Sequence, residues 1–346
     1  MLKRTLAIVL TVGMILGACT ACGAQQQPEA ETTQPTEAIT ATEPAQEANV
    51  MKVLTLGSSS SVDSNHMINL VAHAEGFDKE LIIGTLYYSG CTLKQHVQFL
   101  TANSNVYDLY ISSTATPDTP PTIMKEVTMR DALRYDYWDV IVLQASGGES
   151  MTDDSFTNGN IQTIRKYVEE HKLNPLSIYG WHTIGVSSTD PDLIAMYPNT
   201  PNSYAATAEK YNYDRSLMLT ERTSRVERYI MSDPSYVYVI NTCTAVENAI
   251  TSYLGQKGIK RDYTHLTDVG RLINSYVWYA KLAGIDQLEQ IKLDAIPKAF
   301  LKSTVDKSQD LVLTEAEKAI ILESVNNALK NPLQITPSQY TQAPAQ

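Results

Sequence analysis

The sequence predicts an α/β fold, a three-layer α/β/α sandwich built around a mainly parallel sheet. Short runs of β-branched and aliphatic residues alternate with stretches of helical periodicity along residues 51–330, which is the pattern of right-handed βαβ units. Several of these runs are apolar at consecutive positions, as strands covered on both faces are. A body of about 280 residues is expected to form one domain.

Five strands and seven helices are predicted in this body. Each strand is a short apolar run, and each helix carries apolar residues at spacings of three and four. The predicted strands are 52–56, 81–88, 139–144, 176–181 and 236–241. The predicted helices are 65–75, 92–100, 158–171, 204–231, 245–254, 267–282 and 314–329.

Two long segments interrupt the alternation. Residues 104–129 contain Thr-Pro-Asp-Thr-Pro-Pro and are expected to form an inserted hairpin or loop before the third strand. Residues 185–205 form a second proline-containing excursion that leaves the end of a strand. Long loops in compact domains are often functional, and loops at the carboxyl ends of parallel strands border the ligand crevice.

The N-terminus has the pattern of an export signal. Lys3 and Arg4 precede an apolar run over residues 6–16, which is too short to span a bilayer but suits a signal peptide. The following Leu-Gly-Ala-Cys19 resembles a bacterial lipobox. We therefore expect a lipoprotein signal peptide at 1–18, lipidation of Cys19, and a location on the outer face of the bacterial cytoplasmic membrane. The alternative is an ordinary signal peptide cut near Ala18 or Ala21.

The composition of the flanking segments predicts disorder. Residues 21–49 hold five Glu and no Lys or Arg among Gln, Pro, Thr and Ala, so residues 19–50 are expected to be a disordered tether. The tail 331–346, rich in Gln, Pro and Thr, is expected to be unstructured as well. The formal charge is -11, and it becomes -13 once Lys3 and Arg4 are removed. Such acidity disfavours nucleic acid as a partner, so membrane contact should come from the lipid anchor.

Two cysteines remain in the body, Cys91 and Cys243. Both lie at the ends of predicted strands and lack the spacing of metal ligands. We expect two buried thiols, and a disulfide between them remains the alternative.

The chemistry is predicted from a serine turn and a late Asp-x-x-His pair. The run Gly57-Ser-Ser-Ser-Ser61 directly follows the first strand, and Ser59 is expected on the tight turn there. Asp262 and His265 precede the helix 267–282. A serine, a histidine that takes its proton and a carboxylate that orients the histidine make an acyl-transfer triad.

These blocks resemble the SGNH hydrolases, also called GDSL-type esterases, and in particular a lipoprotein-rich branch of SGNH hydrolase-like domains. The resemblance covers about residues 51–285 and implies a flavodoxin-like, five-stranded sheet. It implies that Ser59 is the nucleophile, with Asp262 and His265 completing the triad. Gly90, after the second strand, corresponds to the glycine of the oxyanion hole, and the segment 137–144 is similar to the branch's segment before its third block.

The chain departs from the family pattern at two points. Residue 58 is Ser where the family has Asp or Asn, and no Gly-x-Asn-Asp follows the third strand. Gln144 stands in that place, and its amide N–H is able to donate to an oxyanion as an asparagine does. The expected oxyanion donors are therefore the amides of Ser59 and Gly90 and the Gln144 side chain. A polar strand end exposed to water is the alternative for Gln144. No metal or organic cofactor is required.

The other histidines do not suggest a metal site. His66 and His73 are two helical turns apart, and His182 ends a strand where it either lines the crevice or has a structural role.

The tyrosines suggest a substrate. The chain has 20 Tyr against 4 Phe, and Tyr197, Tyr204, Tyr211 and Tyr213 cluster near the second long segment. Rings with a polar tip suit sugar faces, so we expect removal of acyl groups, such as acetyl, from an extracellular glycan. Hydrolysis of lipids or small esters is the next possibility. A non-catalytic, surface-tethered carbohydrate-binding module is the alternative of another class, and a solute-binding lipoprotein is disfavoured because no duplicated lobe pattern is present.

Overall fold

The computed structural model describes residues 49–196, 203–295, 302–303, 306 and 308–344. Within them lies one compact unit. The predicted signal peptide, Cys19 and nearly all of the predicted tether fall outside the described residues. No described helix has the length and apolarity needed to cross a membrane.

A seven-stranded sheet lies at the centre. Its order is β4-β3-β2-β1-β5-β6-β7. The strands are β1 (Val50–Gly57), β2 (Glu80–Tyr87), β3 (Tyr107–Ser113), β4 (Thr122–Val127), β5 (Val140–Gln144), β6 (Ile178–His182) and β7 (Tyr236–Ile240).

The predicted parallel core is confirmed. Strands β2, β1, β5, β6 and β7 pair in parallel, in the 2-1-3-4-5 order of flavodoxin-like sheets. The sheet is larger than the five strands predicted, because the segment 104–129 folds as a hairpin. Its strands β3 and β4 pair antiparallel and extend the sheet beyond β2.

Thirteen α-helices occur in the described residues. They are α1 (Ser59–Asn65), α2 (Ile68–Glu75), α3 (Leu93–Thr101), α4 (Met129–Leu133), α5 (Asp153–Thr157), α6 (Asn160–His171), α7 (Pro191–Ala195), α8 (Ser203–Lys210), α9 (Arg215–Arg225), α10 (Thr242–Ile250), α11 (Gly255–Ile259), α12 (Asp268–Ala283) and α13 (Glu315–Lys330). A π-helical turn, Val226–Met231, continues α9.

Two predicted helices differ in the structure. The helix predicted at 65–75 begins later, as α2 at Ile68, and a separate helix, α1, precedes it with Ser58 as its N-cap. The helix predicted at 204–231 breaks where Asn212 and Tyr213 have positive φ angles of 50° and 59°. Asp214 then caps α9, so the chain stops one helix and starts another.

The helices form two layers, one on each face of the sheet. Side chains alternate between the faces along each strand, so Val53 packs with α2, α10, α12 and α13, whereas Leu54 packs with α3, α4 and α6. We call the first side face A and the second face B. The candidate site is built on face A at the carboxyl ends of the parallel strands.

Cys91 and Cys243 are both buried and free. They lie in different hydrophobic clusters, and burial raises the pKa of each thiol, that of Cys243 to about 11. Both are therefore protonated packing residues at neutral pH.

The C-terminal residues 331–344, expected to be unstructured, lie against the body without regular secondary structure. The carbonyl of Pro332 accepts from Thr244 Oγ1 at 2.6 Å, and the Thr336 amide donates to Asn248 at 2.7 Å. Backbone groups that pair with buried side chains fix this segment although its composition resembles that of a disordered tail.

Candidate active site

The serine turn begins the site. Ser58 is the N-cap of α1, and its hydroxyl accepts from the Ser60 amide at 3.4 Å. Ser59 is the first helical residue and is half-buried, whereas Ser58 and Ser61 are buried. The amide of Ser59 belongs to the first turn, whose N–H groups lack partners within the helix.

Gln144 lies beneath this turn. Gln144 is the last residue of β5 and is 1% exposed. The alternative interpretation, a polar strand end exposed to water, is therefore wrong. Its amide N–H donates to Ser58 Oγ at 3.0 Å, and its Oε1 accepts from Ser61 Oγ. A Cβ added to Gly57 would lie 1.9 Å from Ser61 Oγ, so only glycine permits this close packing.

The contacts of Gln144 continue into β6 and α10. His182 Nδ1 lies 3.3 Å from Gln144 Oε1, and its Nε2 lies 3.0 Å from Thr242 Oγ1. Thr242 Oγ1 also lies 3.0 Å from the carbonyl of Thr183. Burial lowers the pKa of His182 to about 3, so its ring is neutral and carries one N–H. Sequence reasoning had placed His182 at the crevice or in a structural role, and its position at a strand end was the only signal.

Asp262 and His265 are paired directly. Asp262 Oδ2 lies 2.9 Å from His265 Nδ1, and Asp262 Oδ1 accepts from the amides of Thr264 and His265 at 2.9 and 2.7 Å. Burial opposes ionisation of Asp262, but the hydrogen bonds from His265 and Thr264 outweigh it and lower its pKa to about 2. The carboxylate is thus charged, and it fixes the ring with Nε2 as the remaining nitrogen.

A second carboxylate, on α1, holds this loop to the serine helix. Asp63 accepts from the amide of Leu266, next to His265, at 2.6 Å. Its other oxygen pairs with Arg271 on α12 at 2.6 Å, and both side chains are almost fully buried. Sequence reasoning missed Asp63, and its place one helical turn after Ser59 was the available signal.

Gly90 lies in a tight turn that follows β2, the strand beside β1. The turn is closed by the Cys91 amide, which donates to Tyr88 O at 3.1 Å, and Gly90 has a φ of +63°. Glu149 ties this turn to the loop after β5, because its Oε2 accepts from the amide of Leu93 at 2.8 Å and from Ser146 Oγ at 3.2 Å. Sequence reasoning did not single out Glu149.

Some predicted residues are joined and others are not. Asp262 and His265 form a pair, and Gln144 is bound to the serine turn, although through Ser58 and Ser61. No hydrogen bond joins Ser59 to His265, or Ser59 to Gln144, within the described part of the chain. No group of three or more potential metal ligands occurs among these residues.

The tyrosine cluster expected near residues 197–213 is only partly described. Tyr197 and the side chain of Tyr204 lie outside the described residues. Tyr211 is buried at 8% exposure and Tyr213 is exposed at 53%. The described members therefore do not form a shared surface.

Comparison with known proteins gives structural relatives of low identity. A DUF4886 family protein from Bacteroides uniformis ATCC 8492 is 21% identical, covers 85% of this chain and 100% of its own, and has a TM-score of 0.65. A candidate SGNH hydrolase from Slackia heliotrinireducens is 14% identical, with 68% and 100% covered and a TM-score of 0.42. The lipase Lip_vut3 from a goat rumen metagenome is 13% identical, with 68% and 97% covered and a TM-score of 0.35.

No curated protein shows significant similarity to the chain. The profile of the domain of unknown function DUF4886, in contrast, matches residues 52–298. This match covers nearly all of the parallel sheet and includes Ser59, Gly90, Gln144, Asp262 and His265. The protein belongs to the DUF4886 family.

Proposed function

We propose that the protein is a serine carboxyl-ester hydrolase of the SGNH type, with Ser59 as nucleophile. The observation that carries the proposal is the Asp262–His265 pair, 2.9 Å apart, on a loop that Asp63 holds to the helix beginning at Ser59. A charged, buried carboxylate that orients a histidine is the arrangement that prepares a base for a serine hydroxyl.

The reaction follows from these parts. His265 Nε2 takes the proton of Ser59 Oγ as this oxygen bonds to the ester carbonyl carbon. The carbonyl oxygen becomes an oxyanion, to which the amides of Ser59 and Gly90 donate. The protonated His265 then gives its proton to the leaving alcohol oxygen as the C–O bond breaks. Water, deprotonated by His265, releases the acid and restores Ser59.

Gln144 is assigned a double role in this proposal. Its side-chain nitrogen carries two hydrogens, of which Ser58 Oγ takes one. The second N–H is assigned to the oxyanion. Loss of a single oxyanion donor costs roughly a hundred- to a thousandfold in rate, so Gln144 both holds the turn and contributes to turnover.

The substrate is proposed to be an acyl ester, such as an acetyl ester, of an extracellular glycan. The protein would be exported and held by lipidated Cys19 on the outer face of the cytoplasmic membrane, as the N-terminal pattern suggests. The strongly acidic charge of -11 argues against nucleic acid as a partner.

One experiment tests the nucleophile and the location together. Intact cells are treated with a fluorophosphonate that does not enter cells, and the wild type is compared with Ser59→Ala and, as a matched serine on the same turn, Ser60→Ala. We expect labelling of the wild type and Ser60→Ala in the membrane fraction, and none of Ser59→Ala.

The contrary results are distinct. Labelling that persists in Ser59→Ala contradicts the nucleophile, whereas labelling only after lysis contradicts the location. A wild type that binds glycan but is neither labelled nor able to release acetate is a binding module instead of an enzyme.

A further inference from the structure

Next to the serine turn lies an aromatic surface that the proposed reaction does not use. Tyr87 is the last residue of β2 and pairs in parallel register with Gly57, the last residue of β1. Adjacent strands are about 4.8 Å apart, and Ser59 follows Gly57 by two residues. Tyr87 is therefore at the same edge of the sheet as the candidate nucleophile and on the neighbouring strand.

The side chain of Tyr87 lies on the same face of the sheet as α1. Asn65 of α1 donates to Thr55 Oγ1 and to Thr85 Oγ1, both at 3.2 Å, so these threonines are on face A. Tyr87 follows Thr85 by two positions and shares that face. Tyr110 pairs with Thr85 across the antiparallel ladder, and Ile123 pairs with Tyr110, so both side chains are on face A as well.

This part of face A is only partly covered in the described residues. Helix α1 turns the side of Ser64 toward α12, where Ser64 Oγ accepts from Asn274 at 2.7 Å. Val62, two residues before Ser64, lies on another side of α1 and is half-buried. Tyr87 and Tyr110 are only half-buried, and Ile123 is 46% exposed. We call Tyr87, Tyr110 and Ile123 the aromatic shelf.

The chemistry of the shelf is that of a sugar site. The two tyrosine rings stand edge to face, with centroids 5.8 Å apart and planes at 83°, so they offer a ring face beside a ring edge. Neither phenol oxygen has a hydrogen-bond partner in the described residues. The ion pair of Lys125 and Asp108 borders the rings. A pyranose presents an apolar C–H face to an aromatic ring and hydroxyls to polar groups at the rim.

The titration of Tyr110 agrees with this chemistry. Its pKa is raised by burial and by the nearby charge of Asp108. The phenol therefore stays protonated at neutral pH and is able to donate to a sugar oxygen.

We propose that the aromatic shelf binds the pyranose ring whose ester is cleaved at Ser59. The inference rests on the proposed esterase function and adds the part of the substrate that the triad does not recognise. It also gives the β3–β4 hairpin a purpose, because Tyr110 and Ile123 both come from it.

The test compares two esters in the same variants. Mono-O-acetylated xylotetraose reaches the shelf, whereas vinyl acetate is too small to do so. For Tyr87→Ala and Tyr110→Ala we expect kcat/KM on the oligosaccharide to fall by about tenfold or more, mainly through KM. Activity on vinyl acetate should stay within about twofold. The control is Tyr137→Ala, a tyrosine 40% exposed at the amino end of β5, which should change neither activity.

Each outcome decides a different claim. Unchanged kcat/KM on the oligosaccharide in both alanine variants overturns the shelf and leaves the esterase proposal standing. If an alanine variant loses activity on both esters, Tyr87→Phe and Tyr110→Phe replace it, because they keep the rings and lose only the hydroxyls. These variants should then hydrolyse vinyl acetate as the wild type does and lose part of the activity on the oligosaccharide. If the activity relative to the wild type is the same on both esters, the result counts against the shelf.

A wild type that cleaves neither ester refutes the esterase proposal alone. The shelf is then judged by calorimetric binding of xylotetraose to Ser59→Ala, with and without Tyr110→Ala. Binding that Tyr110→Ala weakens supports the shelf, and absent or unaltered binding overturns it. Sedimentation compares the oligomeric state of Ile123→Ala with that of the wild type. If the wild type is a dimer and the variant a monomer, the shelf is an interface between two copies, which also contradicts the proposal.

Discussion

Gln144 shows how a single side chain orients the serine turn. An amide placed between hydroxyls can be turned either way, but the oxygen of Gln144 faces Ser61 and His182 while its nitrogen faces Ser58. The Thr242 hydroxyl donates to the carbonyl of Thr183 and lies 3.0 Å from His182 Nε2, while His182 Nδ1 lies 3.3 Å from Gln144 Oε1. His182 therefore acts as a positioning residue for Gln144.

The neutrality of His182 predicts a pH dependence of stability. Its folded pKa, about 3, is depressed by burial, whereas an unfolded histidine titrates near 6.5. Between these values the unfolded chain binds a proton that the folded chain does not, so folding is weakened as pH falls from about 6.5 towards 3. In His182→Gln this contribution is absent. As pH falls below about 6.5, the free energy of unfolding of the wild type should therefore decrease relative to that of the variant, by up to about 1.4 kcal/mol per pH unit.

Urea unfolding at pH 7, 6, 5 and 4 measures this shift. The control is His73→Gln, which removes an exposed histidine from α2. A difference between wild type and His182→Gln that does not change from pH 7 to pH 4 would contradict a neutral, buried ring. Activity adds a second readout, since a purely structural histidine would leave kcat of the folded variant unchanged.

Some residues of the site were predictable and others were not. Ser59 and the Asp262–His265 pair stand in short local patterns whose joint occurrence suggested a triad, and the hydrogen bond between Asp262 and His265 is present in the structure. Asp63, Glu149 and His182 act through partners far away in the chain, such as Leu266 for Asp63. Nothing local in the sequence predicts which distant amide a carboxylate will meet, and these residues emerge only from the packed fold.

At the scale of elements, α1 and α12 carry the two halves of the candidate triad. Ser59 begins α1, and the Asp262–His265 loop leads directly into α12. The helices are joined by Asp63 with Arg271 and by Ser64 with Asn274. All four side chains are buried, so the contact transmits the position of one helix to the other.

Asp63→Asn tests this contact. Arg271 is buried and would lose its carboxylate, so we expect a loss of about 3 to 5 kcal/mol in the free energy of unfolding. Asparagine offers one acceptor oxygen instead of two for the Leu266 amide and Arg271, so one of these contacts is lost and the His265 loop is held less firmly. The variant should therefore also lose activity at temperatures where it remains folded. Urea denaturation and ester hydrolysis, measured on the same samples, check both effects.

The matched control is Asp192→Asn. Asp192 pairs with Lys257 at 2.5 Å, but its side chain is 79% exposed, and an ion pair in contact with water contributes little to stability. A folded Asp63→Asn with full activity would show that the contact stabilises the fold without positioning the site.

The elements also show why part of the fold was predictable. All five parallel strands carry continuous apolar runs, which identified them, although β7 at the edge of the sheet is only partly buried. β4 is exposed at five of its six residues, so it has no apolar periodicity to detect. Its pairing with β3 makes it a strand, and sequence reasoning gave only a hairpin or loop for that segment.

At the scale of the whole molecule, the C-terminal segment after α13 packs against α10, the helix that begins with Thr242. Residues after α13 cross α10, where Pro332 O accepts from Asn241 and Thr244, and the amide of Thr336 donates to Asn248. These three side chains are at most 3% exposed. The composition of this segment predicted disorder because it has few apolar residues to bury. Its order comes instead from backbone groups that hydrogen-bond to buried side chains, which composition does not show.

Deletion of residues 331–346 therefore has a definite consequence. Asn241, Thr244 and Asn248 would lose partners, and each buried polar group left unpaired costs about 1 to 3 kcal/mol, so the free energy of unfolding should fall by about 3 kcal/mol or more. Thr242 begins α10 beside these residues and contacts His182, so kcat should fall as well. Deletion of 341–346 is the control, since residues 341–344 are exposed and should be dispensable. Equal urea midpoints for the two deletions would show that the segment contributes nothing to the fold.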